Sequence, residues 1–195
     1  MTHIPLILTI LSSLIFLGFF VLYNKDILNG SVKPNIVSWG LFSLITLINA
    51  VTYIAFTHDI FKGALAFTDF FTCIVITCLI IFRGQLRKLS LSEIIIIILS
   101  VASLVVWWLL KSALYANLLL QPAYILAFIP TLKNAWANPQ NESSLVWLMW
   151  AFSFLLTITV IIIRWDNNFA DIINSSIAFI LHLSVGLLAG RGKRV

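Results

Sequence analysis

Charge is scarce in this sequence. Only 10% of its 195 residues are Asp, Glu, Lys or Arg, against about 25% in a soluble domain, so it cannot supply an ordinary water-facing surface. Cysteine is limited to Cys73 and Cys78. Five residues apart in one apolar stretch, they fall on different faces of a helix, which excludes a bridge between them within it. With 8 Gly and 5 Pro, the chain is neither collagen-like nor of low complexity. Its aliphatic runs exclude intrinsic disorder, and without dense basic tracts it has no nucleic-acid partner to offer. A Gly-rich phosphate loop, a HExxH helix, a GxSxG elbow and a Cys/His cluster are all missing from the sequence. We therefore expect no enzyme, cofactor or metal.

What is there is apolar: 61% hydrophobic residues, with 15 Phe, 7 Trp and a mean hydropathy of +1.07. A bilayer core of about 30 Å takes roughly 20 such residues per helix. The runs that meet this are Ile4 to Tyr23, Asn35 to Thr57, Gly63 to Phe82 (interrupted by Asp69), Ile94 to Leu110, Ser112 to Leu132, Ser143 to Ile163 and Ile172 to Gly190. The first has no Lys or Arg before it and no small-residue cleavage site after it, so it reads as a helix rather than a signal peptide. The expected fold class is all-α membrane, with seven transmembrane helices.

Seven crossings sort the cations. Lys62, Lys111 and Arg164 fall on one side, and Lys25, Lys33, Arg83, Arg87, Lys88, Lys133, Arg191, Lys193 and Arg194 on the other. The positive-inside rule then places the amino terminus outside and the carboxyl terminus in the cytoplasm. Short loops favour a bacterial inner membrane. The basic turn Arg83 to Lys88 and the basic tail either serve this orientation alone or attract anionic lipid.

The sequence also repeats itself. Gly18-Phe19 through Trp39 lies over Ala127-Phe128 through Trp147 with one gap, and Lys62, Phe67, Asp69 and Thr72 match Arg164, Phe169, Asp171 and Asn174 at a constant offset of 102. Two tandem three-helix repeats would be mutually inverted, and one intervening helix restores the same direction. This predicts a 3+1+3 plan: a first repeat over residues 1–82, a basic loop and linker helix over 83–111, and a second repeat with a basic tail over 112–195. Parallel repeats of this kind belong to transporters whose substrate sites lie near the midplane.

These features resemble the SWEET sugar transporters and the wider PQ-loop superfamily. The resemblance is carried by Pro130-Thr131-Leu132-Lys133-Asn134-Ala135-Trp136, Pro139, Glu142-Ser143-Ser144 and Trp147, with Lys33-Pro34-Asn35 and Ser38-Trp39 in the first repeat. A set of bacterial polytopic membrane proteins of unassigned function is similar in the same segments. The Pro-Gln dipeptide is absent, Pro130 being followed by Thr131, and gating prolines are not reproduced in helices two and six. The resemblance implies alternating access, with Thr72 and Asn174 as a polar pair facing each other across the substrate and Trp150 as a flat wall.

The residues supply candidates of their own. Ionisable groups inside a span are costly, about 2.5–3.5 kcal/mol at the centre, and so mark function by default. Asp69 and Asp171 stand seven residues beyond Lys62 and Arg164. Each either takes a proton, pairs with a cationic substrate or hydrogen-bonds a hydroxyl, or else it pairs with the nearby cation or caps its helix. Asn49 and Thr157 are repeat partners at the offset of 108 set by the two tryptophans, and with Thr72, Trp150 and Asn174 they form the expected substrate-binding set. Asn117, Gln121 and His182 are further polar residues within spans, and His182 reads as a satisfied core histidine. Trp39, Trp136, Trp147 and Trp165 read as interfacial anchors, as do Trp107 and Trp108. The seventh span lacks a lysine, which disfavours a retinal protein. The expected function is transport of a small neutral or weakly charged solute, such as a sugar or another small polar metabolite. The rival is a non-transporting receptor or subunit of a membrane complex, and a homo-oligomer is compatible with either.

Overall fold

The computed structural model describes residues 3–83 and 89–193. Its elements are α1 (His3–Leu28), α2 (Ile36–Thr57), α3 (Ile60–Phe82), α4 (Leu91–Leu110), α5 (Ala113–Ala137), α6 (Ser144–Ile163) and α7 (Ala170–Gly190), with short 3₁₀ turns at Pro139–Asn141 and Arg191–Lys193. All seven α-helices are long and apolar enough to span a membrane. By length and composition the chain is an integral, multi-pass membrane protein. A helix is the conformation such runs must take, because it satisfies every backbone N–H and C=O within the segment where no water is available. Arg87, Lys88 and Arg194, counted above for orientation, lie outside the described residues.

Local chemistry sets the boundaries. His58 adopts the left-handed conformation after α2 (φ 51°), and Asp59 then caps α3, accepting from the N–H of Phe61 at 2.9 Å. Glu93 reaches back to the N–H of Ser90 at 2.7 Å and closes the first turn of α4. Between α4 and α5, Lys111 turns the chain at φ 53°, and its ammonium lies 5.4 Å from the ring of Trp108. The helices differ from the charge-free runs mainly at their ends. α1 continues through Lys25 and Asp26, and α5 through Lys133, because long charged side chains reach the interface while their backbone stays helical. Pro122 and Pro130 lie within α5 without ending it. Lys62, which the sequence places in a loop, belongs to the first turn of α3 and is only 3% exposed.

Two compact units result, Met1–Asn35 with Ile129–Val195, and Ile36–Phe128. In the first, α6 packs against both α1 and α7. The α6–α7 approach is close: the Ser144 hydroxyl donates to the Gly186 carbonyl at 2.8 Å, and a Cβ on Gly186 would meet the side chain of Leu148 at 2.8 Å and its backbone nitrogen at 3.1 Å. In the second, α2 packs against α3 and α4 and runs antiparallel to α5, since Phe42 meets Phe128 while Asn49 meets Asn117. α4 buries little beyond Glu93, Ile96, Ser100 and Ser103.

Two tryptophans depart from the expectation. Trp39 and Trp147 are buried rather than interfacial, because one turn into a helix the indole has already reached the packed face. Trp136 is 63% exposed, and the Arg191 guanidinium lies 4.2 Å from the centre of its ring.

Candidate functional site

The unit Ile36–Phe128 holds a polar centre built from α2, α3 and α5. Asn117 Nδ2 donates to Asn49 Oδ1 and to Thr52 Oγ1, both at 3.0 Å, and Gln121 Nε2 donates to Asn117 Oδ1 at 3.2 Å. Asn49 lies three residues before Thr52 and Asn117 four before Gln121, so each pair shares one helix face and the two faces meet. Asp69 of α3 is in the same unit, with 7% of its surface exposed. The Cys73 thiol donates to its Oδ1 at 3.4 Å, and among the described residues this weak donor is the carboxyl's one hydrogen-bond partner. Thr72 turns its hydroxyl back to the Asp69 carbonyl at 2.8 Å. Thr46 of α2 stands beside the thiol, and Tyr124 of α5 lies within electrostatic range of Asp69. Asn49, Thr72 and Asp69 thus occur together in one unit.

The other candidates, Trp150, Thr157, Asp171 and Asn174, belong to the unit formed by α1, α6, α7 and the end of α5. Trp150 stacks on Phe16 with ring centroids 5.2 Å apart, lies at the same distance from Tyr23, and donates its Nε1 proton to the Phe16 carbonyl at 3.0 Å. Its ring is therefore packed between α1 residues. Thr157 donates to the Ser153 carbonyl at 3.2 Å, while Asp171 and Asn174 are buried on α7. His182 bonds the Ala178 carbonyl at 2.8 Å and is surrounded by Phe16, Trp147, Trp150 and Phe154.

One residue of note was visible in the sequence only as part of a motif. Glu142 lies between the 3₁₀ turn and α6, outside the spans, and is only 5% exposed. Its Oε2 accepts from Tyr23 Oη of α1 at 2.8 Å and from Trp147 Nε1 of α6 at 2.9 Å. Its Oε1 is buried without a hydrogen bond of good geometry, although Asn134 stands beside the carboxyl. Burial pushes the acid up from 4.5 to about 7, and the donors Trp147, Tyr23 and Asn134 offset only part of that rise. A cavity of about 310 Å³ adjoins it, lined by polar groups that include Asp26, Ser31 and Gln140. The Lys33 N–H donates to the Asn141 carbonyl at 2.9 Å and pins the α1–α2 connection to the same corner. Glu142 thus ties the end of α1 to the start of α6.

Neither family models, nor characterised proteins, nor solved structures yield a match to this chain. Among the described residues no group of three or more His, Cys, Asp or Glu could hold a metal ion.

Proposed function

We propose that the chain is a transporter of SWEET/PQ-loop type that moves a small polar solute, such as a sugar, by alternating access. In this reading its two three-helix repeats are parallel, the amino terminus lies outside a bacterial inner membrane, and the carboxyl terminus is cytoplasmic. The observation that carries the reading is Asp69, a carboxyl inside a span whose hydrogen-bond partner among the described residues is a thiol. Polar groups are expensive at that depth and persist where they act on something. With Thr72 and Asn49 in the same unit, the chemistry suits hydroxyls and amides of a solute. If transport is coupled, Asp69 takes the proton.

Helix pairing supports the repeat. Exchange of α1 with α5 and of α2 with α6 converts the α1–α6 pair of one unit into the α5–α2 pair of the other. Individual contacts follow the same exchange. The rings of Phe16 and Trp150 stack in one unit, and those of Tyr124 and Phe42, each 108 positions from its counterpart, meet edge-on in the other with centroids 6.5 Å apart. At that offset Asn49 and Asn117 correspond to Thr157 and Thr9, both buried.

The rival reading, a non-transporting receptor or membrane-complex subunit, is favoured by one feature: the amides of Asn117 and Gln121 satisfy one another and Asn49, as in a packed scaffold. The two are separated by identifying small molecules retained by the purified protein and measuring their uptake into proteoliposomes. Transport predicts saturable uptake whose pH dependence disappears in Asp69→Asn; unchanged pH dependence rejects the proton role, and absence of uptake for every retained solute rejects the transporter.

A further inference from the structure

Glu142 is the joint between two helices that nothing in the local sequence connects. Its Oε2 accepts from Tyr23 Oη, near the end of α1, and from Trp147 Nε1, in the first turn of α6. The two donors are 0% and 1% exposed, and their rings meet edge-on with centroids 6.4 Å apart. The junction therefore excludes water on both sides. Trp147 moves with Glu142, which lies five residues before it on the same segment, whereas Tyr23 stands on a separate helix 119 residues earlier. Tyr23 is the partner that can part from the other two.

The surroundings supply donors but no charge. Among the described side chains, α1 presents Tyr23 and Asp26 to this corner, α5 presents Asn134, and His182 of α7 lies against the Trp147 ring. The cations of the region are engaged or exposed: the Arg191 guanidinium donates to the Trp136 carbonyl at 2.9 Å, and Lys33 and Lys133 face solvent. Neutral, the acid suits this place, because Oε2 still accepts from both rings. Ionised, it is a buried charge held by neutral donors alone, and such a charge is costly. What the carboxylate lacks is water. The cavity of about 310 Å³ beside it, with Asp26, Ser31 and Gln140 in its lining, has the polar partners that hold water. For that water to surround the carboxyl oxygens, Tyr23 must move aside.

We propose that Glu142 is a protonation-dependent latch: neutral, it holds the end of α1 against the start of α6, and charged, it hydrates through the adjoining cavity and releases Tyr23. The element with two arrangements is the Tyr23–Glu142–Trp147 junction, biased by one proton at one carboxyl. The latch needs no solute, so it stands apart from the transport reading.

The test is hydroxyl-radical footprinting of the full-length protein in nanodiscs, read by mass spectrometry between pH 5 and 8. The radical oxidises a tyrosine or tryptophan ring where solvent reaches it. A closed state in which the acid titrates at about 7, and an open state in which it returns to 4.5, let the open fraction grow by up to about 70-fold between pH 5 and 8. Oxidation of Tyr23 in the wild type should rise several-fold or more, with a midpoint near pH 7, while Phe16 and Phe154, buried in the same unit, keep their protection. Glu142→Gln keeps an acceptor for both rings and carries no charge, so Tyr23 should stay protected throughout. Unchanged protection of Tyr23 in the wild type would overturn the proposal without any variant. So would a rise that Phe16 and Phe154 share, which marks general loosening, or a rise that persists in Glu142→Gln.

Discussion

Replacing Glu142 by Gln should remove that residue's own contribution to the pH dependence of stability between pH 4.5 and 7. The wild-type carboxyl has a pKa of about 7 in the folded chain, raised by burial from 4.5. When the folded value is the higher one, the contribution to stability is fully present below the unfolded value and is lost as the pH rises through the folded value. Between the two values the folded state binds a proton that the unfolded state has released, so stability falls as the pH rises. The rise from 4.5 to about 7, at about 1.36 kcal/mol per pH unit, makes the total loss about 3 kcal/mol, nearly complete by pH 7. Gln keeps an acceptor for Tyr23 and Trp147 and carries no charge to desolvate. The assay is denaturant unfolding of detergent-solubilised protein at pH 5, 6, 7 and 8, for wild type and Glu142→Gln. The stability of Glu142→Gln relative to the wild type should rise by about 2 kcal/mol between pH 5 and 7 and by little more at pH 8. Equal slopes for the two proteins, or a variant that loses ground to the wild type as the pH rises, would refute the reasoning.

Further outcomes follow from the same contacts. Tyr23→Phe removes one donor that favours the carboxylate, so the Glu142 titration should move upward, as measured by the infrared carboxyl band. Gly186→Val puts a branched side chain against Leu148 and should cost about 1–3 kcal/mol through overpacking of α6 on α7; unfolding measured beside a conservative control such as Leu187→Ile checks this. A double-mutant cycle of Asn49→Ala and Asn117→Ala should give a coupling of about 0.6 kcal/mol and no more than about 1.7, the range of hydrogen bonds between membrane helices. Zero coupling would mean that the amide pair does not join α2 to α5.

The spans were legible because charge is so rare here that each run declares itself, and the helices reproduce those runs except at their ends. α1 passes Lys25 and Asp26 without stopping because charges end a lipid-facing run, not a helix. Trp39 and Trp147 could not be sorted by sequence. Their distance from a span end suits an anchor or a packed residue equally, and for Trp147 the deciding partner is Glu142. Glu142 in turn depends on Tyr23, 119 residues earlier, and no local pattern links the two. Asn49, Asp69 and Thr72 stood out as polar residues in apolar runs. That Asn117 bonds Asn49, and that a thiol is the partner of Asp69, emerged only when α2, α3 and α5 were placed side by side. Thr157, Asp171 and Asn174 were read from the repeat, and the structure puts them with α1 and α7.

The proposed function rests on two triplets of helices crossing the membrane in the same direction. The most direct measurement is an experimental structure in a lipid nanodisc, in which α1–α3 is superposed on α5–α7. The proposal requires a half-turn about an axis along the membrane normal that brings Phe16 onto Tyr124 and Phe42 onto Trp150. A superposition whose axis lies in the plane of the membrane, or none at all, would contradict it.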